Sequence, residues 1–159
     1  RCLVPADGFY EWKNVRGQSK QPFFLKLKNG SPFCFAGIYS YWQPRDDEPE
    51  ILGFAIITTV PNELVEPIHN RMPVIIDRDD YDRWLEDDTL VMANAPALLA
   101  PYPAEQMEAY PVSQRVNDVS FDDPICVERS SHETKAIQDT RASREKGEDF
   151  GKQGTLFDD

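Results

Sequence analysis

Two short segments carry the groups best suited to proton transfer and to contact with an anion. Phe9-Tyr10-Glu11-Trp12-Lys13 sets a carboxylate inside an aromatic run, and Pro67-Ile68-His69-Asn70-Arg71-Met72-Pro73 sets a histidine two residues before an arginine. Aromatic neighbours strip water from a carboxylate and raise its pKa. An imidazole with an unperturbed pKa of about 6.5 suits proton transfer at neutral pH. Brought together in a cleft, Glu11 and His69 form an acid/base pair. The planar guanidinium of Arg71 fits the oxygens of a phosphate. Each residue also has a plainer reading: Glu11 as a strand glutamate facing water, His69 as a hydrogen-bonded structural residue, Arg71 as half of a surface ion pair. Thr58, at the end of an apolar strand, either donates to a phosphate or simply fills a β position. Trp12 is the aromatic residue best placed to line a pocket, whereas Trp42 and Trp84 read as core.

The elements that must position these groups follow from periodicity and turn chemistry. Residues 9–13 form a strand with Glu11 aimed at a cleft, and 14–21 form a polar turn. Residues 22–28 end in clear alternation, and Asn29-Gly30 signals a hairpin into a buried strand at 33–39. Residues 46–50 form a surface loop. Residues 53–59 are β-branched and largely apolar, hence a strand. Thr59, Pro61 and Glu63 start a short helix that ends near Pro67 and leaves His69 in a loop. Residues 74–76 form a short strand, and Asp77 caps a helix running through Trp84 and Leu85. Asn94 and Pro96 open another short helix at 97–99, and 108–116 form a further strand. There is no βαβ rhythm and no internal repeat. The class is α+β: a mixed, mainly antiparallel sheet with short helices.

Composition bounds the function. A chain of 159 residues is one domain by length, and 40% hydrophobic residues suffice for a core. Cys2, Cys34 and Cys126 have no metal-ligand spacing and no even disulfide count, which points to a reducing cytoplasm and calls for no metal or cofactor. No apolar run reaches the roughly 18 residues of a membrane span. A net charge of −11 opposes broad affinity for nucleic acid. The acids crowd into 46–48, 77–88 and 122–123, so contact with DNA would come from a few basic residues in one groove.

The marker Arg1-Cys2-Leu3-Val4-Pro5-Ala6-Asp7-Gly8-Phe9-Tyr10-Glu11-Trp12 combines with others along the chain. These are Gly37-Ile38-Tyr39, Ile57-Thr58-Thr59, the His69 segment, Tyr110-Pro111-Val112-Ser113 with Val116-Asn117, and Pro124-Ile125-Cys126-Val127-Glu128. Together they resemble the SRAP family, the SOS response-associated peptidases that sense abasic sites in DNA. The resemblance runs over residues 1–127. It implies a β-barrel-like core, Glu11 and His69 as the active-site acid/base residues, and Arg71, Thr58 and Trp12 on the DNA-binding surface. It implies single-stranded DNA with abasic sites as substrate, a DNA-repair role near the nucleoid, and self-processing peptidase activity. Its nucleophile is a cysteine at the mature N-terminus, in a Met-Cys-Gly-Arg start that this chain lacks. Cys2 stands in a different context and reads as a small apolar core residue. The chain is therefore expected to be the C-terminal part of an SRAP domain, inactive in crosslinking by itself. Asn70 stands where some relatives have Asp. The rival readings are a general peptidase built on His69 and Glu11, and a non-catalytic DNA-binding module.

Beyond residue 127 the chain becomes polar and charged, a composition that does not offset its ordering entropy, so 128–159 read as a disordered tail. It ends in Gln153-Gly154-Thr155-Leu156-Phe157. Gln-x-x-Leu-Phe resembles the peptide by which bacterial proteins dock on the β sliding clamp. Leu156 and Phe157 would fill an apolar pocket and Gln153 would bond at its edge.

Overall fold

The computed structural model describes residues 1–16, 19–86 and 95–130. The strands are β1 (Cys2–Ala6), β2 (Phe9–Lys13), β3 (Gln21–Leu27), β4 (Phe33–Trp42), β5 (Ile51–Ile56), β6 (Thr58–Thr59), β7 (Met72–Pro73), β8 (Ile75–Ile76) and β9 (Met107–Pro111). All described pairings are antiparallel. One sheet runs β1-β4-β5 with β8 also on β4, a second runs β2-β3-β9, and β6 pairs with β7. Helical structure is limited to α1 (Tyr81–Leu85), a helical turn over 95–98 and single 3-10 turns. The class is α+β, as the sequence reading has it. The barrel-like core takes the form of two sheets facing one apolar layer.

That layer collects Leu25 and Leu27 from β3, Phe33 and Phe35 from β4, Met107 from β9, and Val65 and Met72 from the segment around His69. Alternation along β3 explains its share, since successive side chains leave opposite faces of a strand. A second cluster joins Ala36, Val74 and Ile76 to Trp84 of α1. Trp84 is core, as expected, and its indole Nε1 donates to the Cys2 carbonyl at 2.9 Å. Asp77 accepts the amide of Asp79, so the expected cap is present, though it opens a 3-10 turn that leads into α1. Cys2 is half-buried on β1 opposite Gly37, where an added Cβ would come within 2.6 Å of its sulfur.

Several expectations need correction. Asn29-Gly30 does make a tight turn, with Gly30 at φ 71° and its amide bonded to the Leu27 carbonyl. It is not a hairpin, because β3 and β4 belong to different sheets. Pro32 has no N–H to extend a ladder across the loop, and Lys28 continues the β3–β9 pairing by donating to Gln106. The segment after Thr59 is a chain of turns over 63–68, not a helix. The apolar strand expected over 53–59 breaks after Ile56, because Ile57 donates to Ala36 and accepts from Val74 instead. The last strand stops at Pro111, and Gln114–Asn117 coil into a 3-10 turn begun by the Ser113 hydroxyl. Trp42 is 62% exposed, so its expected core role fails. The strand β1 was not anticipated. Packing continues to Ser130, whose amide donates to Pro111.

Candidate active site

Glu11 lies at the centre of β2, paired across the ladder with Phe23. Phe9, two residues earlier and on the same face, packs into the main core. Glu11 therefore points along the core side of the sheet, where its side chain keeps 19% of its exposure. Burial pushes its carboxyl above the ordinary carboxylate range, opposed by the charge of His69 and a backbone hydrogen bond at Trp12.

His69 is delivered by the turn that precedes β7. Asn62 organises that turn. Its Oδ1 accepts the amides of Leu64 and Val65 at 3.1 and 3.0 Å, and its Nδ2 donates to the Tyr102 carbonyl at 2.7 Å. The His69 amide then donates to the Val65 carbonyl at 2.9 Å. Val65 and Met72, both fully buried, pin the two ends. The result places His69 Nδ1 3.7 Å from Glu11 Oε2, bringing together groups far apart in the chain.

The same Nδ1 lies 3.0 Å from the Arg71 carbonyl and 3.3 Å from the Arg71 amide. With Nδ1 protonated the ring donates to the Arg71 carbonyl and leaves Nε2 as the basic nitrogen, whereas with Nδ1 bare it accepts the Arg71 amide. At 3.7 Å the Glu11 contact is electrostatic rather than a formed hydrogen bond. Such contacts tighten when a substrate closes the site.

Arg71 is held by Thr58. Its Nη2 donates to the Thr58 carbonyl at 2.6 Å and to the hydroxyl at 2.8 Å, and its Nε reaches the hydroxyl at 3.2 Å. The β6–β7 ladder, Thr58 to Pro73 and Thr59 to Met72, fixes both backbones. Thr58 thus anchors the arginine, and the two act as one unit beside His69.

Of the residues singled out in the sequence, the structure gathers Glu11, His69, Arg71 and Thr58. It does not bring Trp12 to them. Trp12 leaves the opposite face of β2, beside Tyr10 at 6.3 Å between ring centres, and its Nε1 donates to Asn117 Oδ1 at 2.7 Å. Lys13 does share the Glu11 face, with its ammonium 5.9 Å from the centre of the Phe23 ring. Strand alternation sets Lys13 and Trp12 on opposite faces of β2. Asn62 was also missed. Its signal was an Asn able to bond the backbone two residues on, placed where the chain leaves a strand. Gln153, Leu156 and Phe157 lie outside the described residues. Among the described residues no group of three or more His, Cys, Asp or Glu could hold a metal, and no helix is long and apolar enough to cross a membrane.

Comparison with known proteins gives a consistent picture. The family model "SOS response associated peptidase (SRAP)" matches residues 1–119. The chain is 43% identical over 128 residues to the abasic site processing protein YoqW of Bacillus subtilis, covering 80% of this chain and 57% of that protein. It is 34% identical over 146 residues to the abasic site processing protein HMCES of Gallus gallus, covering 80% and 43%. A solved protein from Bacteroides thetaiotaomicron superposes with a TM-score of 0.72 at 32% identity, covering 81% of this chain and 56% of that one. The chain spans about half the length of the curated relatives it matches.

Proposed function

This chain belongs to the SOS response-associated peptidase family, and from that membership we propose that it serves the processing of abasic sites in single-stranded DNA. The observation that carries the reading is the approach of Glu11 to His69 at 3.7 Å, with Arg71 two residues on and tied down by Thr58. A base, an acid and a preset phosphate contact then lie within one surface region of a chain whose overall charge is −11. The YoqW and HMCES relatives, by name abasic site processing proteins, support abasic sites as the substrate.

An abasic sugar opens to an aldehyde at C1′. In the reading adopted here, a cysteine with a free α-amine captures it. The amine adds to the aldehyde and loses water to give a Schiff base. The thiol then adds to the imine carbon and closes a thiazolidine, so one water leaves overall. Cys2 does not fit this role, because its sulfur packs against Gly37 inside a strand pair. The nucleophile would come from the portion of the family's domain outside the match. His69 Nε2 would move protons for ring opening and for reversal. Glu11 would hold the imidazole in its Nδ1–H form and accept a proton from the amine. Arg71 would contact the backbone phosphate. An unpaired nucleotide reaches such a site without unstacking cost. Self-processing would use the same acid/base pair, and cleavage of unrelated polypeptides would mark a general peptidase instead.

The test is intact-mass spectrometry of the full-length gene product after incubation with single-stranded DNA bearing one abasic site. The expected adduct equals protein plus DNA minus one water, and His69→Ala slows its formation by about 10²–10⁴. No adduct from a protein with a confirmed N-terminal cysteine would defeat the reading. The tail peptide at Gln153, Leu156 and Phe157 would tether the protein to the β sliding clamp. Binding to the clamp that survives Leu156→Ala with Phe157→Ala would remove that part of the proposal.

A further inference from the structure

The negative charge of the chain is unevenly spread, and one long stretch carries none of it. All 28 Asp and Glu residues lie outside 12–45, a stretch that holds Lys13, Arg16, Lys20, Lys26, Lys28 and Arg45. The fold divides these cations into two sets. Lys26 pairs with Glu108 at 3.5 Å, Arg45 pairs with Glu48 at 3.6 Å, and Lys28 donates to the Glu105 carbonyl at 2.7 Å. Lys13, Arg16 and Lys20 stand where β2 turns back into β3. Among the described residues no carboxylate pairs with any of these three. Arg16 and Lys20 are exposed.

The three cations begin at the candidate active site. Lys13 leaves the same face of β2 as Glu11, about 7 Å further along the strand. Its ammonium lies 5.9 Å from the centre of the Phe23 ring, and Phe23 is the residue paired with Glu11. That contact holds the charge beside the Glu11 row. The end of the hairpin is braced from the other side. The Ser19 hydroxyl lies 3.2 Å from Gln114 Oε1 and 3.1 Å from Gln114 Nε2, and Trp12 Nε1 donates to Asn117 Oδ1 at 2.7 Å. Gln114 and Asn117 belong to one 3-10 turn. Trp12, set away from Glu11, thus helps to fix the strand end from which the cations project. Cations left without carboxylate partners suit a polyanion, whose phosphates need Lys or Arg. An acidic polypeptide also suits the charges, but it gives no reason for Lys13 to share the Glu11 face.

We propose that Lys13, Arg16 and Lys20 form a phosphate-binding track that adds to the Arg71 contact and holds the backbone of single-stranded DNA to one side of the nucleotide at Glu11 and His69. The track rests on the DNA substrate of the abasic-site reading and takes no part in the chemistry. It reads phosphates and not bases, so it acts alike on all sequences.

The test titrates the full-length gene product with a fluorescent oligodeoxythymidylate that has no abasic site, at several salt concentrations. The logarithm of the binding constant should fall linearly with the logarithm of salt concentration. Lys13→Ala with Arg16→Ala and Lys20→Ala should lower the steepness by about 2, since each phosphate contact on a single strand contributes about 0.7. Arg16→Ala with Lys20→Ala, both at exposed positions, should lower it by about 1.4 and decides the matter if the triple variant does not fold. Lys28→Ala, just beyond the opposite end of β3, should leave it unchanged. With saturating abasic DNA the rate of adduct formation should also be unchanged, because Glu11, His69 and Arg71 are intact. Equal steepness in parent and variants would overturn the proposal. So would a loss per charge as large for Lys28→Ala, which reports net charge alone, or no binding by the parent at the lowest salt. A slower rate at saturation would overturn it too, by placing the cations in the chemistry. The two readings separate. Binding that depends on the track without any adduct defeats the abasic-site chemistry alone, and an adduct with unaltered steepness defeats the track alone.

Discussion

The turn that carries His69 and the ribbon of β4 and β5 lie close in sequence and use their side chains in opposite ways. In the turn, a polar residue, Asn62, satisfies amides on one side and a carbonyl on the other, and two fully buried apolar residues clamp the ends. In the ribbon the backbone ladder is complete, yet Tyr41, Trp42, Leu52 and Phe54 are more than half exposed. A regular ladder therefore does not imply a finished core. The geometry around His69 is set by contacts within this chain, whereas the ribbon has its hydrogen bonds without its packing.

The largest effect expected from this contrast is on stability. Met72→Ala should cost about 2–5 kcal/mol, because it empties a fully buried site beneath the His69 turn. Phe54→Ala removes a bigger side chain from the ribbon and should change stability by no more than about 0.5 kcal/mol, as for an exposed residue. Urea midpoints of the two variants check the pair. Equal costs would break the contrast and place hidden packing on the ribbon.

A smaller effect sharpens the account of the turn. Asn62→Ala removes the cap of the Leu64 and Val65 amides, which is worth about 1 kcal/mol. The variant should fold and also lose order at His69, visible as a shift of its imidazole resonances. An unchanged His69 spectrum would show that Val65 and Met72 alone hold the turn.

What was legible in the sequence divides along the same line. β3 and the cap at Asp77 announce themselves through alternation and through side-chain bonding to nearby amides. The ribbon misled because apolar composition reads as burial, and Trp42 was assigned to the core on that basis alone. Asn29-Gly30 predicted a turn correctly but not its partners, since a turn fixes direction and not the sheet that receives the strand. The pairing of Glu11 with His69 follows from no local spacing. Only the likeness of the two segments to a known family pointed to it, and Trp12, on the opposite face of β2, bonds Asn117 instead of joining that pair.

The subtlest prediction concerns the site's own charge. Burial raises the Glu11 carboxyl pKa above its ordinary 4.5, against the pull of His69. The folded state then binds this proton more tightly than the unfolded chain does. Between the unfolded and folded values the native protein holds more protons, so stability falls as pH rises through that window and stays lowered above it. Glu11→Gln cannot titrate. It should melt higher than the parent at neutral pH, and its advantage should shrink to its smallest as pH falls below the unfolded value. Thermal melts of both proteins between about pH 3 and pH 8 read this out. An advantage that shrinks as pH rises would mean that attraction to His69 outweighs desolvation, and that Glu11 is held as a stabilising ion pair. The expected sign instead makes Glu11 a residue kept at a cost to stability. Such a cost is usual where a carboxylate is poised to exchange a proton, and does not belong to a turn built only for packing.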